Sequence, residues 1–275
     1  MTKLQEKAKE LSASLEKAGP DEIVATALLA FAPSHVFVGF SGGDDSLVTT
    51  HWMMENITSC RVAHFNTGIG IEATRDFVRG TCESNGWPLK EVRAKEDCGQ
   101  DYDELVLAHG FPGPGMHYKM FQRLKERCVR ELSRCLKQKA SDKILIATGI
   151  RKDESARRAG YKYSVIDIVG SVIWVNPFYY RDKAWFMAYI AQHKLPRNPV
   201  SQMLGMSGEC LCGAYAHKGE KAAIKLVCPK THARIEALEK AVAARGFSWG
   251  WEDAPPKKQR PSRGNFMPMC VGCEK

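Results

Sequence analysis

The stretch FVGFSGGDDSLVTTHWM, Phe37 to Met53, runs from apolar residues into Ser-Gly-Gly, then two aspartates, then residues that can be helical. HVFVGF (35–40) is β-branched and aromatic and ends at glycines, so it reads as a buried strand with a helix after it. Two glycines let the main chain approach an anion with no Cβ in the way. The N–H groups of the loop and of the first helical turn then point at that anion. Ser41 and Ser46 can each add a hydroxyl. Ser41, Gly42, Gly43, Asp44, Asp45 and Ser46 therefore form a candidate phosphate cradle, though not of the Walker type, which needs G-x-x-x-x-G-K-[ST]. A plain strand-to-helix turn would use the same residues, with glycine for geometry and Asp45 or Ser46 as the cap.

Working outward, helices are expected at 3–18 and 19–32, before the strand. SCRVAHFNT (59–67) is the next strand, followed by a helix over 70–86 that Gly86 stops, and a more polar strand at 89–94. Residues 95–116, with acids, glycines and prolines, read as a long loop or lid. A basic helix (116–139), a buried strand (143–150), one or two strands (163–178) and a helix (181–195) complete the alternation. A last helix (219–243) is interrupted by Pro229. Alternating strands and helices imply a doubly wound, mainly parallel α/β sheet. Such sheets bind ligands beyond the carboxyl ends of their strands. The expected organisation is N-terminal helices at 1–34, a nucleotide-binding domain at 35–200 and a cysteine-rich extension at 201–275.

The 275 residues, 44% hydrophobic, suffice for a packed core. The chain has no apolar run long enough to span a membrane. The charged, amphipathic N-terminus lacks the core of a secretory signal, so a cytoplasmic location is expected and no membrane partner. A formal charge of +9 suits either a solvated surface or an anionic partner such as a nucleotide or nucleic acid. Ten cysteines in a cytosolic chain argue against a disulfide framework.

Four segments carry a family resemblance. Ser41–Ser46 resembles the S-G-G-x-D-S loop of the PP-loop ATP pyrophosphatase superfamily, with Asp44 where lysine is usual. That change removes a cation and requires Mg²⁺ or another basic residue in its place. FNTGIGIEATRDFV resembles the D-T-G-x-x-x-x-E-T segment of the phosphoadenosine phosphosulfate (PAPS) reductase branch, with Asn66 for Asp. TGIRKDESARRAG resembles its G-x-R-x-x-E-S-x-x-R segment through Gly149, Arg151, Glu154, Ser155 and Arg158. NPFYYRDKAWFMAYIAQHKLPRNPV resembles its closing segment through Asn176, Pro177, Tyr189, Leu195, Pro196, Asn198 and Pro199. The resemblance implies an adenine nucleotide alpha hydrolase-like fold. It also implies that Asn66, Thr67, Gly68 and Gly149 join the loop in nucleotide binding, and that Asp45, Arg151 and Arg158 do the chemistry.

Read without the family, Arg151, Arg157 and Arg158 with Lys152 make a cationic mouth after a buried strand. Lys125, in the basic helix, is a further candidate. Cys60, Cys82 and Cys98 lack ligand spacing and read as core or surface thiols, and Cys128 and Cys135, seven apart on one helix face, read as core. Cys210, Cys212, Cys228, Cys270 and Cys273 differ: Cys270-x-x-Cys273 is a ligand knuckle, and four of the five can make a Cys₄ site. Zinc and a [4Fe–4S] cluster both accept four thiolates, and the resemblance favours the cluster. A spare thiolate could act as a nucleophile. Phe247, Trp249 and Trp251 could stack bases, though they suit packing better.

Three functions stay open. One is a PAPS reductase-like enzyme that binds PAPS or adenylyl sulfate and transfers sulfur to a thiolate. A second is an ATP-dependent sulfur transferase, using Mg²⁺, that thiolates tRNA or phosphorothioates DNA. The third is a nucleotide- or nucleic-acid-binding protein without turnover. Either enzyme would call on a sulfur or electron donor protein.

Overall fold

The structure is a computed structural model that describes residues 2–152, 164–253 and 255. A six-stranded sheet forms its centre: β1 (His35–Gly39), β2 (Cys60–Asn66), β3 (Leu89–Arg93), β4 (Ile144–Ala147), β5 (Ile166–Val169) and β6 (Val172–Val175). The spatial order is β3-β2-β1-β4-β6-β5. All neighbours run parallel except β5 and β6, which form an antiparallel hairpin. The expected mainly parallel α/β sheet is what forms.

Period-two alternation sorts the strand residues between two cores. Phe37, Ala63, Ile146 and Trp174 point to one face, and Val38, Val62, Leu145 and Ile173 to the other. The second face is covered by α1 (Lys3–Ser14), α2 (Pro20–Phe31), α3 (Asp44–Asn56), part of α4 (Glu72–Ser84), and α8 (Lys183–Gln192). The first face is covered by α5 (Tyr102–His109), the helix built from α6 (His117–Phe121) and α7 (Arg127–Leu136), α9 (Pro199–Leu204), α10 (Glu220–Val227) and α11 (Pro229–Ala244). Leu211, Cys212, Ile235, Leu238 and Trp251 belong to that same core, so chain beyond residue 200 packs directly on the sheet. Among the described residues, no helix is long and apolar enough to cross a membrane.

Three details depart from the reading of the sequence. The expected loop at 95–116 contains α5: Asp101 accepts from the Asp103 N–H at 2.8 Å and caps it, acids fill its first turn, and Gly110 ends it. The basic helix is not uniform, because Gln122–Glu126 adopts a π turn between α6 and α7. Cys135, spaced as a core residue with Cys128, faces solvent in the last turn of α7 beside Glu131.

The β5 edge is closed by α1. Buried Ser12 donates through Oγ to the Ile166 carbonyl at 2.8 Å and accepts from the Ile166 N–H at 2.9 Å. Ser12→Ala leaves both main-chain groups without that partner, so a loss of about 1–3 kcal/mol is expected in urea unfolding.

Candidate active site

The chain leaves β1 toward β2 and β3 on one side, then returns to place β4 on the other side of β1. This divergence makes a crevice beyond the carboxyl ends of β1 and β4. Residues 40–46 follow β1 and Gly149–Arg151 follow β4, so both segments reach it. A cavity of about 430 Å³ lies there, lined by Ser41, Gly43–Ser46 and Gly149 and also by Cys210 and Cys212.

The loop holds its own shape. Ser46 Oγ accepts from the Ser41 N–H (3.2 Å) and hydroxyl (3.1 Å) and donates to the Gly43 carbonyl at 2.8 Å. Asn198 Nδ2 donates to the Gly42 carbonyl at 3.0 Å. Gly43 occupies the N-cap of α3, where no side chain takes up the first-turn amides; neither Asp45 nor Ser46 is the cap. Those amides and the helix dipole make the end of α3 attractive to an anion. Gly149 lies so close that a Cβ on it would stand 2.6 Å from the Asp45 carbonyl oxygen.

Both aspartates are paired. Arg151 Nε donates to Asp45 at 2.8 Å, and Lys183 Nζ reaches Asp44 and Asp45 at 3.1 Å each. Arg197 grips Asp44 with two bonds of 2.9 Å. Burial alone would raise the Asp44 pKa, but the bonds from Arg197 and Lys183 outweigh it and hold the carboxyl below its ordinary value. Two carboxylates thus meet three cations, which leaves a positive charge over. The charge lost with the usual lysine is supplied by Lys183 and Arg197.

The second wall is built from residues 205–217. Cys212 is buried and Cys210 half-buried, and both also line a small adjoining void with His117 and Lys125. Lys125 is buried in the π turn and faces both spaces. Cys60, Cys82 and Cys128 are unsuited to attack, since burial pushes Cys60 and Cys82 up to about 12 and raises Cys128 as well.

Asn66, Thr67 and Gly68 are not among the cavity-lining residues. Asn66 donates to Glu91 at 2.7 Å and accepts from the Gly68 N–H at 2.9 Å; an aspartate here would confront Glu91. Thr67 binds Glu209, which with His64 lines the cavity. His64 Nδ1 donates to the Phe40 carbonyl at 2.8 Å while Nε2 faces Glu209 at 3.5 Å. Burial would lower the His64 pKa, but attraction to Glu209, helped by the Phe40 carbonyl and Glu91, prevails and raises it.

Arg158, Cys270 and Cys273 lie outside the described residues, as do Glu154, Ser155 and Arg157. Cys228 precedes α11 with Sγ 3.1 Å from Thr231 Oγ1 and is not on the cavity wall. No group of three or more His, Cys, Asp or Glu among the described residues could hold a metal ion. Those residues alone therefore do not make the expected Cys₄ site. Trp251 and Trp249 donate to the Leu211 and Phe111 carbonyls, at 3.3 and 2.9 Å, so they are packing groups and not a stacking platform.

Sequence reasoning missed Lys183, Arg197, His64 and Glu209. Only Asp44 signalled the first two, because an acid in a phosphate loop demands compensation. Nothing in the sequence pairs His64 with a residue 145 positions later.

The fold is a doubly wound α/β sheet with a glycine-rich loop and a cavity at its topological switch point. Residues 35–203 match the family model of the phosphoadenosine phosphosulfate reductase domain, and the chain belongs to that family. The family binds an adenine nucleotide and acts in sulfur metabolism. Among solved structures, the chain is similar to a phosphoadenylyl-sulfate (PAPS) reductase from Candida auris in a phosphate complex. The two share 20% identity over 74% of this chain and 93% of that one, with a TM-score of 0.52, a likeness of fold. No curated protein matches the chain.

Two outcomes are expected. Gly149→Ala should cost about 1–3 kcal/mol in urea unfolding and weaken AMP binding, because the new methyl displaces the first turn of α3. Protonated His64 stabilises the fold, since its folded pKa lies above the ordinary 6.5. That contribution is full below about 6.5 and is lost as pH rises through the raised value. Melting temperatures should record the loss, and His64→Gln should abolish this part of the pH dependence.

Proposed function

We propose that the protein is a sulfonucleotide reductase-like enzyme that uses PAPS or adenylyl sulfate. One observation carries the reading: the Ser41–Ser46 loop and the Cys210/Cys212 pair line one cavity. In this reading the nucleotide's anionic tail lies on the amides at the start of α3. Arg151, Lys183 and Arg197 stand beside it, where the leaving phosphate gains charge. Arg158 is proposed to join them from outside the described residues.

The chemistry follows from two thiols at the opposite wall. The more exposed Cys210, as thiolate, attacks the sulfuryl sulfur. A sulfur–sulfur bond forms, the bond from sulfur to the phosphate oxygen breaks, and the nucleotide leaves with that electron pair. Cys212 then attacks the Cys210 sulfur, loses its proton to solvent and expels sulfite, leaving a Cys210–Cys212 disulfide. The two electrons have come from the thiols, and an external dithiol protein restores them. Lys125 lines the same small void as both cysteines, so its cation is proposed to stand near the attacking thiolate.

The cysteine ligand set of the sequence reading supports a different use of the same atoms. A [4Fe–4S] cluster or zinc would need Cys270 and Cys273 to complete what Cys210 and Cys212 begin. Such a group would supply electrons or structural order.

Four assays decide. Wild-type protein should release sulfite from PAPS or adenylyl sulfate with a dithiol reductant, and Cys210→Ser should lower turnover on the order of a thousandfold or more. Without external dithiol, Cys212→Ser should accumulate an S-sulfonate on Cys210, visible by intact mass spectrometry. Pyrophosphate release from ATP, with no sulfite from either sulfonucleotide, would overturn the proposal in favour of ATP-dependent sulfur transfer. Anaerobically purified protein should be active without iron or zinc; about four irons per chain, lost in the Cys210→Ser variant, would assign these thiols to a cluster instead.

A further inference from the structure

The turn Asn66–Gly68 leaves the carboxyl end of β2, and its polar groups are already engaged. The Thr67 N–H donates to Glu209 Oε1 at 2.9 Å. The Thr67 hydroxyl lies 2.7 Å from the Glu209 carbonyl oxygen and 3.1 Å from Oε1. Asn66 is committed to Glu91 and to the Gly68 N–H, and its carbonyl accepts from the Ala94 N–H at 2.9 Å. The Gly68 carbonyl accepts from Arg234 at 2.6 Å, and Arg234 is itself held by Asp103.

The partner of this turn is the segment that leads into the two cavity thiols. Glu209 is 2% exposed and immediately precedes Cys210. Its second oxygen lies 3.5 Å from His64 Nε2 and 3.5 Å from Arg75 Nε, all three groups being buried. The backbone on either side is fixed as well. The Ile71 N–H donates to the Gly208 carbonyl at 2.8 Å, and Thr74 Oγ1 donates to the Ser207 carbonyl at 2.7 Å. Gly70 permits the approach, because a Cβ there would stand 2.6 Å from the Glu209 carbonyl oxygen.

A carboxylate removed from water is costly unless donors and cations meet it. Here two Thr67 donors, an imidazole and a guanidinium meet it, and they all belong to β2, the turn after it and α4. We infer that the Asn66–Gly68 turn is the seat of the thiol segment, with Glu209 its key, and that in this chain the turn positions Cys210 and Cys212 and does not hold the nucleotide. Thr67 and Glu209 are positioning residues: they act on the sulfur chemistry through the place of the two thiols. The inference draws on the proposed thiol chemistry only for its turnover readout.

The test uses the full chain and three readouts: AMP affinity, hydrogen–deuterium exchange of amides 207–213, and sulfite turnover. Thr67→Val removes the hydroxyl bonds and keeps the side chain's shape. It should speed exchange at 207–213 by about tenfold or more, the ratio that one hydrogen bond to a charge is worth. It should also lower turnover while leaving AMP affinity within about twofold. Thr67→Ser should restore both, and Glu209→Gln should shift exchange in the same direction as Thr67→Val. Weakened AMP binding in Thr67→Val with exchange at 207–213 unchanged would overturn the inference, since the turn would then serve the nucleotide. If the wild-type chain forms no sulfite, the proposed reaction falls, while affinity and exchange still decide the role of the turn.

Discussion

The site depends on how closely β4 can approach the start of α3. Gly149 touches the Asp45 carbonyl and the Ser46 amide at distances that no side chain would allow. That contact brings the end of β4 against the loop that follows β1, so that the Arg151 guanidinium, two residues on, can reach Asp45. Without it the crevice between the diverging strands would widen, and the cations and amides facing one anion would separate. The constraint is steric, and it explains why two distant segments of the chain act as a single surface.

The strands and the glycine turn from β1 into α3 were legible because each rests on local chemistry. HVFVG is apolar between its ends and ILIA throughout, and both are bounded by turns, which is how a strand buried on both faces reads. The loop announced itself through glycines between a strand and a helix. Other matched residues prove to be fasteners. Asn198 ties the loop to Thr74 and caps α9, and Asn176 binds Thr148 and the Ser164 carbonyl across the strand ends. What stayed hidden is long-range pairing between charged residues. His64 and Glu209 are separated by most of the fold's length, and an isolated buried glutamate has no periodicity to reveal it. The helix α5 was hidden for a different reason, since its acids and flanking glycines resemble those of a loop.

Chain beyond residue 200 is integral to this architecture. Trp251, Leu238 and Ile235 share a core with Phe37 and Trp174, and the Trp251 indole bonds the Leu211 carbonyl between the two thiols. Tyr102, fully buried, donates to the Cys212 carbonyl at 2.9 Å. The thiol segment is therefore pinned from three directions, by β2 and its turn, by α5 and by the C-terminal aromatic residues. In the proposed reaction, a nucleophile on a segment so held keeps its geometry when the nucleotide arrives, which limits the entropy lost in reaching the reactive arrangement.

Asp44 shows what such rigidity can replace. A lysine in its place would bring one charge on a long, flexible side chain, and ordering that chain costs rotamer entropy. The aspartate is short and nine-tenths hidden, and it recruits Arg197 and Lys183 from two other parts of the fold. The planar guanidinium is fixed by two parallel bonds, a geometry a lysine cannot offer. The positive charge at the mouth of the loop is thereby held by the tertiary structure and not by one flexible residue. It also ties α8 and the chain entering α9 to the loop, so that packing far from the crevice sets the field in which an anion is received.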